Sequence, residues 1–263
     1  MEAIIYTLIF IIGVLFGSFF TLAIYRIPLK QDITHKRSYC PNCNHRLGFL
    51  DLIPILSYIF LGGKCRYCKQ KIRPRYLIIE ILSGVIFLLF AMSLKINIYN
   101  LNAQKLVYLI FGILYISTLF IIGGIEKETN EVSKPVLIFG LIIQTIYIIY
   151  LYIAKMSIYK YIIYLFLMLI LLIINTIILK KKGKENYTIQ ILTLCSYLAM
   201  CTKEEIMIVS IILTLLITAI KEMIISLKNN KKGITKTEES NVPIGYYLCI
   251  SNIIVLIFQN YIF

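Results

Sequence analysis

Eight apolar stretches, separated by charged or polar residues, divide the chain: 3–25, 76–95, 105–124, 135–154, 158–179, 187–201, 206–227 and 242–262. Most run to about 20 residues, the length at which an α-helix crosses about 30 Å of hydrocarbon. None alternates apolar and polar positions as a membrane β-strand must, and only helices or closed barrels satisfy the backbone in lipid. The pattern predicts an all-α, polytopic membrane protein of about eight transmembrane helices. The sixth stretch is the weakest, being short and carrying Gln190, Thr193 and Ser196. The first starts with Glu2, and its basic residues come after it. A secretory signal has the opposite order, so this stretch is read as a retained anchor.

Composition supports the pattern. The 263 residues are 59% hydrophobic, against about 45–50% for soluble domains. The net charge of +14 would suggest a nucleic-acid partner, but its placement argues otherwise. With eight spans, alternate loops share a side, and the segments 26–75, 124–134, 180–186 and 221–241 hold 22 of the 27 Lys and Arg. The positive-inside bias then puts these loops in the cytoplasm and both termini outside. No reading motif for nucleic acid is present, so none is expected as a partner. The Tyr residues at 147, 150, 152, 159, 161 and 164 cluster at one outer turn, as interfacial anchors do, with the lipid bilayer as their partner. Only "KNNKKGITKTEESN" (228–241) reads as a flexible loop. Polar residues inside the spans, such as Gln144, Asn175 and Gln190, are too sparse to mark a transport path.

The loop between the first two spans carries a distinct constellation: Cys40-Pro41-Asn42-Cys43 and, 21 residues later, Cys65-Arg66-Tyr67-Cys68. Two such knuckles suit a tetrahedral Zn²⁺ bound by four thiolates. The reducing cytoplasm disfavours disulfides, and a polar loop of this length needs a staple because it buries little core. The alternatives are a redox pair or four unrelated thiols. His45 lies beside the first knuckle, but four Cys already close the ligand shell, so it is read as a surface residue. Cys195, Cys201 and Cys249 lie in or at the ends of apolar spans and are read as packing residues.

The residues around the knuckles are specific. "GSFFTLAIYRIP" (17–28) leads into "CPNCNHRLGFLDLIPILSYIFLGGKCRYCKQKIRPRYLIIEILSG" (40–84), and "NVPIGYYL" (241–248) places a Pro-x-Gly turn before the last span. This resembles the type IV prepilin leader peptidase/N-methyltransferase family, membrane aspartic peptidases of the Gly-x-Gly-Asp type. The resemblance implies an N-terminal part, 1–84, of anchor helix plus cytoplasmic zinc-knuckle domain, and a membrane peptidase-like helical part, 85–263. It also implies a bacterial cytoplasmic membrane location and prepilin or pseudopilin substrates cut at the cytoplasmic face. N-methylation of the new terminus would use S-adenosylmethionine. Asp51, Arg75 and Glu80 are the polar residues to test for that second activity, against plainer readings as a loop cap and helix-entry charges.

The family's catalytic pair is two Asp, yet this chain has only Asp32 and Asp51, both in the knuckle loop. Aligning Ile125-Glu126 with the family's Ile-Asp puts Glu126 at the first position. At the second, Thr188 or Asn186 stands in place of Asp, depending on the register, with Glu185 adjacent. An aspartyl dyad works because two close carboxylates share one proton. Asn and Thr have no proton that titrates near neutral pH. The extra methylene of Glu126 shifts its carboxylate by about 1 Å, a displacement that can cost about 10²-fold in rate. A dyad of Glu126 with Glu185 is one reading. A plain solvated turn is another. A third treats Glu126, Glu128 and Glu131 as an acidic site for the basic prepilin leader.

Two functions therefore stand side by side: a processing enzyme with a degenerate peptidase site, or a catalytically inactive paralogue. The latter would bind prepilins or partner a second, active prepilin peptidase.

Overall fold

The computed structural model describes residues 2–96, 102–182, 186–232 and 242–262. Its helices are α1 (Glu2–Arg26), α2 (Leu56–Phe60), α3 (Arg75–Ser93), α4 (Ala103–Thr129), α5 (Lys134–Ile153), α6 (Tyr159–Lys182), α7 (Tyr187–Cys201), α8 (Glu204–Lys232) and α9 (Ile244–Ile262). All but the short α2 fall on the expected spans. Among the described residues α1, α3, α4, α5, α6 and α8 are long and apolar enough to cross a membrane, while the apolar stretches of α7 and α9 are shorter. Two boundaries differ from expectation. Helix α4 runs on through Glu126 and Glu128 to Thr129, so these residues lie on a helix and not in a turn. Helix α8 continues to Lys232, and the rest of the expected loop, 233–241, lies outside the described residues.

The chain forms two compact units, Met1–Leu109 and Ile110–Phe263. In the first, α1 packs along α3 through small residues. A Cβ on Gly13 would lie 2.8 Å from the Gly84 Cα, and one on Gly17 would lie 2.7 Å from the Glu80 Cα and 2.1 Å from the Ser83 Oγ. Lipid is as apolar as Leu and gives no hydrophobic push between helices, so close backbone approach and dispersion contacts supply the association. Gly13-x-x-x-Gly17 is thus a packing motif, with buried Ser83 and Gly84 facing it. Phe20 and Phe87 fill the seam alongside, both fully buried, with Phe16 5.7 Å from Phe87.

The second unit has a polar seam. The Tyr115 hydroxyl on α4 donates to Asn252 Oδ1 on α9 at 2.7 Å, and Asn252 Nδ2 donates to Ser210 Oγ on α8 at 3.4 Å. Thr118 on α4 shares a 2.8 Å hydrogen bond with the Tyr197 hydroxyl on α7. Gly140 on α5 leaves room for that phenol, because a Cβ there would meet its oxygen at 2.7 Å. The polar residues of the sixth span are explained by the same inward placement: Gln190, Thr193 and Ser196 are all buried. Apolar residues face outward in exchange, as with Ile162, Ile163, Phe166 and Ile173 on α6. Polar groups inside and apolar groups outside is the arrangement a lipid solvent imposes.

The α1–α3 contact generates a paired prediction. Gly17→Ala overpacks the seam and lowers stability by about 1–3 kcal/mol. Gly123→Ala meets only ordinary contact, 3.4 Å from the Cys249 Cβ, and its better helix propensity makes it neutral or mildly stabilising. Thermal unfolding of both variants in one detergent checks the contrast.

Candidate functional site

The knuckle cluster of the first unit is built from two equivalent turns. The Cys40 amide donates to the His45 carbonyl at 3.0 Å and the Asn44 amide to the Cys40 carbonyl at 2.8 Å. In the second turn Cys65 pairs with Gln70 at 2.9 Å and Lys69 with Cys65 at 3.0 Å. Each turn needs one residue in the left-handed region, Asn44 at φ 55° and Lys69 at φ 60°. The four sulfurs lie within 4.8 Å of one another, with Cys40 and Cys68 3.8 Å apart. A tetrahedron with Zn–S bonds of about 2.3 Å has edges of about 3.8 Å, so the cluster is compatible with a metal ion such as Zn²⁺. The Gln70 amide and the Asn42 side chain bring the Cys68 thiol down to about 6. The Cys43 thiol stands at about 11: the His45 amide lowers it, but burial and the neighbouring thiols outweigh that. The neighbouring thiols that raise Cys43 are groups a bound cation would turn into ligands.

Asp51 ties the knuckles together. Its carboxylate accepts from the Gly48 amide at 3.1 Å, from Arg66 Nε at 2.6 Å and from the Tyr67 hydroxyl at 3.4 Å. Partial burial raises its pKa, but the Arg66 hydrogen bond, the Gly48 amide and the Arg66 charge lower it further, leaving it below the ordinary carboxylate value. The clasp therefore acts fully above about pH 3.9 and is lost only as pH falls through the depressed folded-state value. His45 stacks on Tyr67 with ring centroids 3.5 Å apart, so it braces the second knuckle. Arg26, which the sequence showed only within the quoted "GSFFTLAIYRIP" stretch, is buried and donates to the carbonyls of Asp32, Lys36 and Arg37. Glu80 is likewise buried, and its Oε2 accepts from the Ile55 amide at 2.7 Å.

In the second unit, Glu126 is fully buried in the last turn of α4, so the solvated-turn reading fails for this residue. Its Oε1 accepts from the Tyr187 hydroxyl at 2.6 Å and from the Gly245 amide at 2.9 Å. The Tyr187 oxygen in turn accepts from the Ile244 amide at 2.9 Å. These amides open α9, and the first amides of a helix have no partner within it and carry its positive dipole end. Glu126 thus caps α9 from a neighbouring helix, and Tyr187 joins the cap. Gly245 permits the approach, because a Cβ there would lie 2.1 Å from Glu126 Oε2. That oxygen accepts no hydrogen bond among the described residues, although the Tyr246 amide also faces the carboxylate.

The other residues read as candidates do not join this cap. Asn186 is the N-cap of α7, its side chain accepting from the Thr188 amide at 3.0 Å, and both residues are exposed. Glu185 lies outside the described residues. Glu128 and Glu131 are exposed while Glu126 is not, so the three Glu do not share one surface. The residue missed in the sequence is Tyr187. It stands between the two positions compared with the family's second Asp, and its own identity carried no signal.

Replacing Tyr187 by Phe strands the Ile244 amide and removes one of the two donors to Glu126. The expected cost is about 1–3 kcal/mol, read as a lowered unfolding temperature in detergent. An unchanged temperature would show that the phenol does not hold the cap.

Comparison with known proteins agrees with this anatomy. Residues 11–94 match the model of the Bacterial Peptidase A24 N-terminal domain. The chain is 31% identical over 128 residues to a prepilin leader peptidase/N-methyltransferase of Klebsiella pneumoniae, covering 46% of this chain and 52% of that protein. A protein of the same description from Bacillus subtilis is 32% identical over 135 residues, covering 51% of each chain. One from Myxococcus xanthus is 42% identical over 79 residues, 30% of this chain and 24% of that protein. The chain spans about half the length of these curated relatives or less. No solved structure matches. With its helical membrane architecture and paired knuckles, the chain carries a segment, residues 11–94, of the Bacterial Peptidase A24 N-terminal domain type, and it is similar over about half its length to prepilin leader peptidase/N-methyltransferases.

Proposed function

We propose that this protein binds prepilin-like substrates at the cytoplasmic face of the membrane and that the two-carboxylate peptidase chemistry of its family does not operate in it. The observation that carries the reading is the engagement of Glu126. A catalytic carboxylate must reach water and the scissile carbonyl. Glu126 is fully buried and spends Oε1 on Tyr187 and Gly245. A Glu is one methylene longer than an Asp, and here the added reach carries the carboxylate to the N-terminus of α9. The positive-inside bias supports a cytoplasmic knuckle domain and outer termini. Similarity to prepilin leader peptidase/N-methyltransferases supports prepilins as substrates. Any methyl transfer from S-adenosylmethionine is assigned to the N-terminal unit, where the family match lies.

One observation favours a second reading. Glu126 Oε2 is buried without a hydrogen-bond partner, and Glu185 precedes by two residues the Tyr187 that touches Glu126. A rearrangement bringing Glu185 to Oε2 would create a pair able to share one proton, with one carboxylate activating water and the other polarising the carbonyl. Incubation of a prepilin-like substrate with the protein in liposomes decides between the readings. Binding without cleavage is the expected result. Cleavage by the parent that falls at least about 10²-fold in both Glu126→Gln and Glu185→Gln establishes the dyad instead.

Cys40, Cys43, Cys65 and Cys68 are proposed to hold one structural Zn²⁺, whose role is to fold the knuckle loop and not to take part in chemistry. Metal analysis of the purified protein is expected to give one zinc per chain. Cys65→Ser loses most of it, whereas His45→Ala retains it, since His45 stacks on Tyr67. Loss of zinc from His45→Ala would put the imidazole in the ligand shell.

A further inference from the structure

The knuckle loop reads as polar as a whole, but its middle, residues 47–63, is far more apolar than a water-facing loop. From residue 47 to residue 63 its only charged residue is Asp51, whose side chain is 5% exposed and held by Arg66. Yet Phe49 is 82% exposed, Leu50 66%, Leu56 50%, Ile59 60% and Phe60 83%. Leu56, Ile59 and Phe60 lie three and four residues apart on one face of α2, the spacing that puts helical side chains side by side.

The attachment of this segment sets its depth. The Ile55 amide donates to Glu80 Oε2, and Glu80 stands five residues into α3, about 7.5 Å along the axis at 1.5 Å per residue. Lys71, Arg73 and Arg75 mark where α3 leaves water. Ile55 is therefore held at the level of the apolar end of a membrane span, not beyond it. Irregular backbone at that depth is tolerated only where its polar groups find protein partners. Here they do: the Leu56 amide closes a tight γ-turn onto the Pro54 carbonyl at 2.6 Å, and Glu80 takes the amide between them. Ile55 sits at φ 62°, ψ −55°, a conformation a β-branched residue adopts only when its surroundings enforce it. Arg46 and Lys64 flank the segment, basic charges of the sign that anionic headgroups attract.

We propose that residues 49–60 form a wedge that inserts into the headgroup–acyl boundary of the bilayer, with the Glu80–Ile55 hydrogen bond as its anchor. The zinc knuckles are then fixed against the membrane surface at both sides of the wedge, and do not swing on free linkers. The inference stands apart from the proposed function, since it concerns where the knuckle loop lies and not what the second unit does.

The chain contains no Trp, so Phe49→Trp and Phe60→Trp each install a single indole at an already exposed aromatic position. The full-length variants are reconstituted in vesicles containing anionic lipid, with Gln70→Trp, on the exposed turn of the second knuckle, as the water-side reference. Both wedge positions are expected to emit at shorter wavelength than the reference and to resist acrylamide. Lipids brominated near the glycerol end of the acyl chain are expected to quench them at least about twofold more than the reference, and more than lipids brominated near the methyl end. Long-wavelength emission quenched by acrylamide as in the reference overturns the proposal. Short-wavelength emission insensitive to every brominated lipid also overturns it, because protein then covers the wedge. If that cover depends on the protein-to-lipid ratio, it is a second copy. In the Phe60→Trp background, Glu80→Ala is expected to abolish the quenching by shallow bromines; quenching that survives removes Glu80 as the anchor.

Discussion

In hydrocarbon an amide or carbonyl that leaves a helix has no water to turn to, and each one left unpaired costs several kcal/mol. Three ionisable residues near helix ends meet this constraint in this protein. Arg26, closing α1, gathers the carbonyls of Asp32, Lys36 and Arg37. Glu80, in the second turn of α3, takes the Ile55 amide. Glu126, in the last turn of α4, takes the Gly245 amide that opens α9, and shares the Tyr187 hydroxyl. Each is buried, and each holds backbone that regular hydrogen bonding does not reach. Such side chains suit this work because one of them reaches several groups at once: Arg26 meets three carbonyls, and Glu126 Oε1 meets two donors.

Glycine is the counterpart of these anchors. Gly17 lets α3 approach α1 at the level of Glu80, and Gly245 lets α9 approach Glu126. At Gly245 the hydrogen-only position lies against the Glu126 carboxylate itself, and at Gly17 it lies against the backbone of Glu80. The approach that positions the acid is thus the same approach that a side chain would block. This gives a physical reason for the Pro-x-Gly turn beyond chain reversal: the glycine is where backbone meets carboxylate.

The residues singled out by the resemblance are engaged differently in the two units. In the first unit the residues that carry the family resemblance make the contacts such residues should make, with the knuckles closed and Asp51 clasping them. In the second, the position compared with a catalytic Asp is committed to holding a helix. A longer acid at a buried site finds a nearer donor, and the donor available is a helix N-terminus with its partial positive charge.

The apolar periodicity alone determined the number and place of the long helices, because lipid permits no other secondary structure at that length and composition. The two CxxC knuckles were equally legible, since a four-thiolate site depends on local turns whose spacing is written in the chain. Other features came only from the tertiary structure. Gly13 and Gly17 read as ordinary span residues until α3 lay against them. Glu126 read as part of an acidic turn until α4 was found to continue past it, and Tyr187 was invisible as a partner because it acts across 61 residues of sequence. Glu80 was placed among helix-entry charges until Ile55 was found at its carboxylate. The reason is common to all of them. Helix existence follows from transfer of side chains into lipid, a property of each segment, whereas which polar group satisfies which depends on the distances between segments.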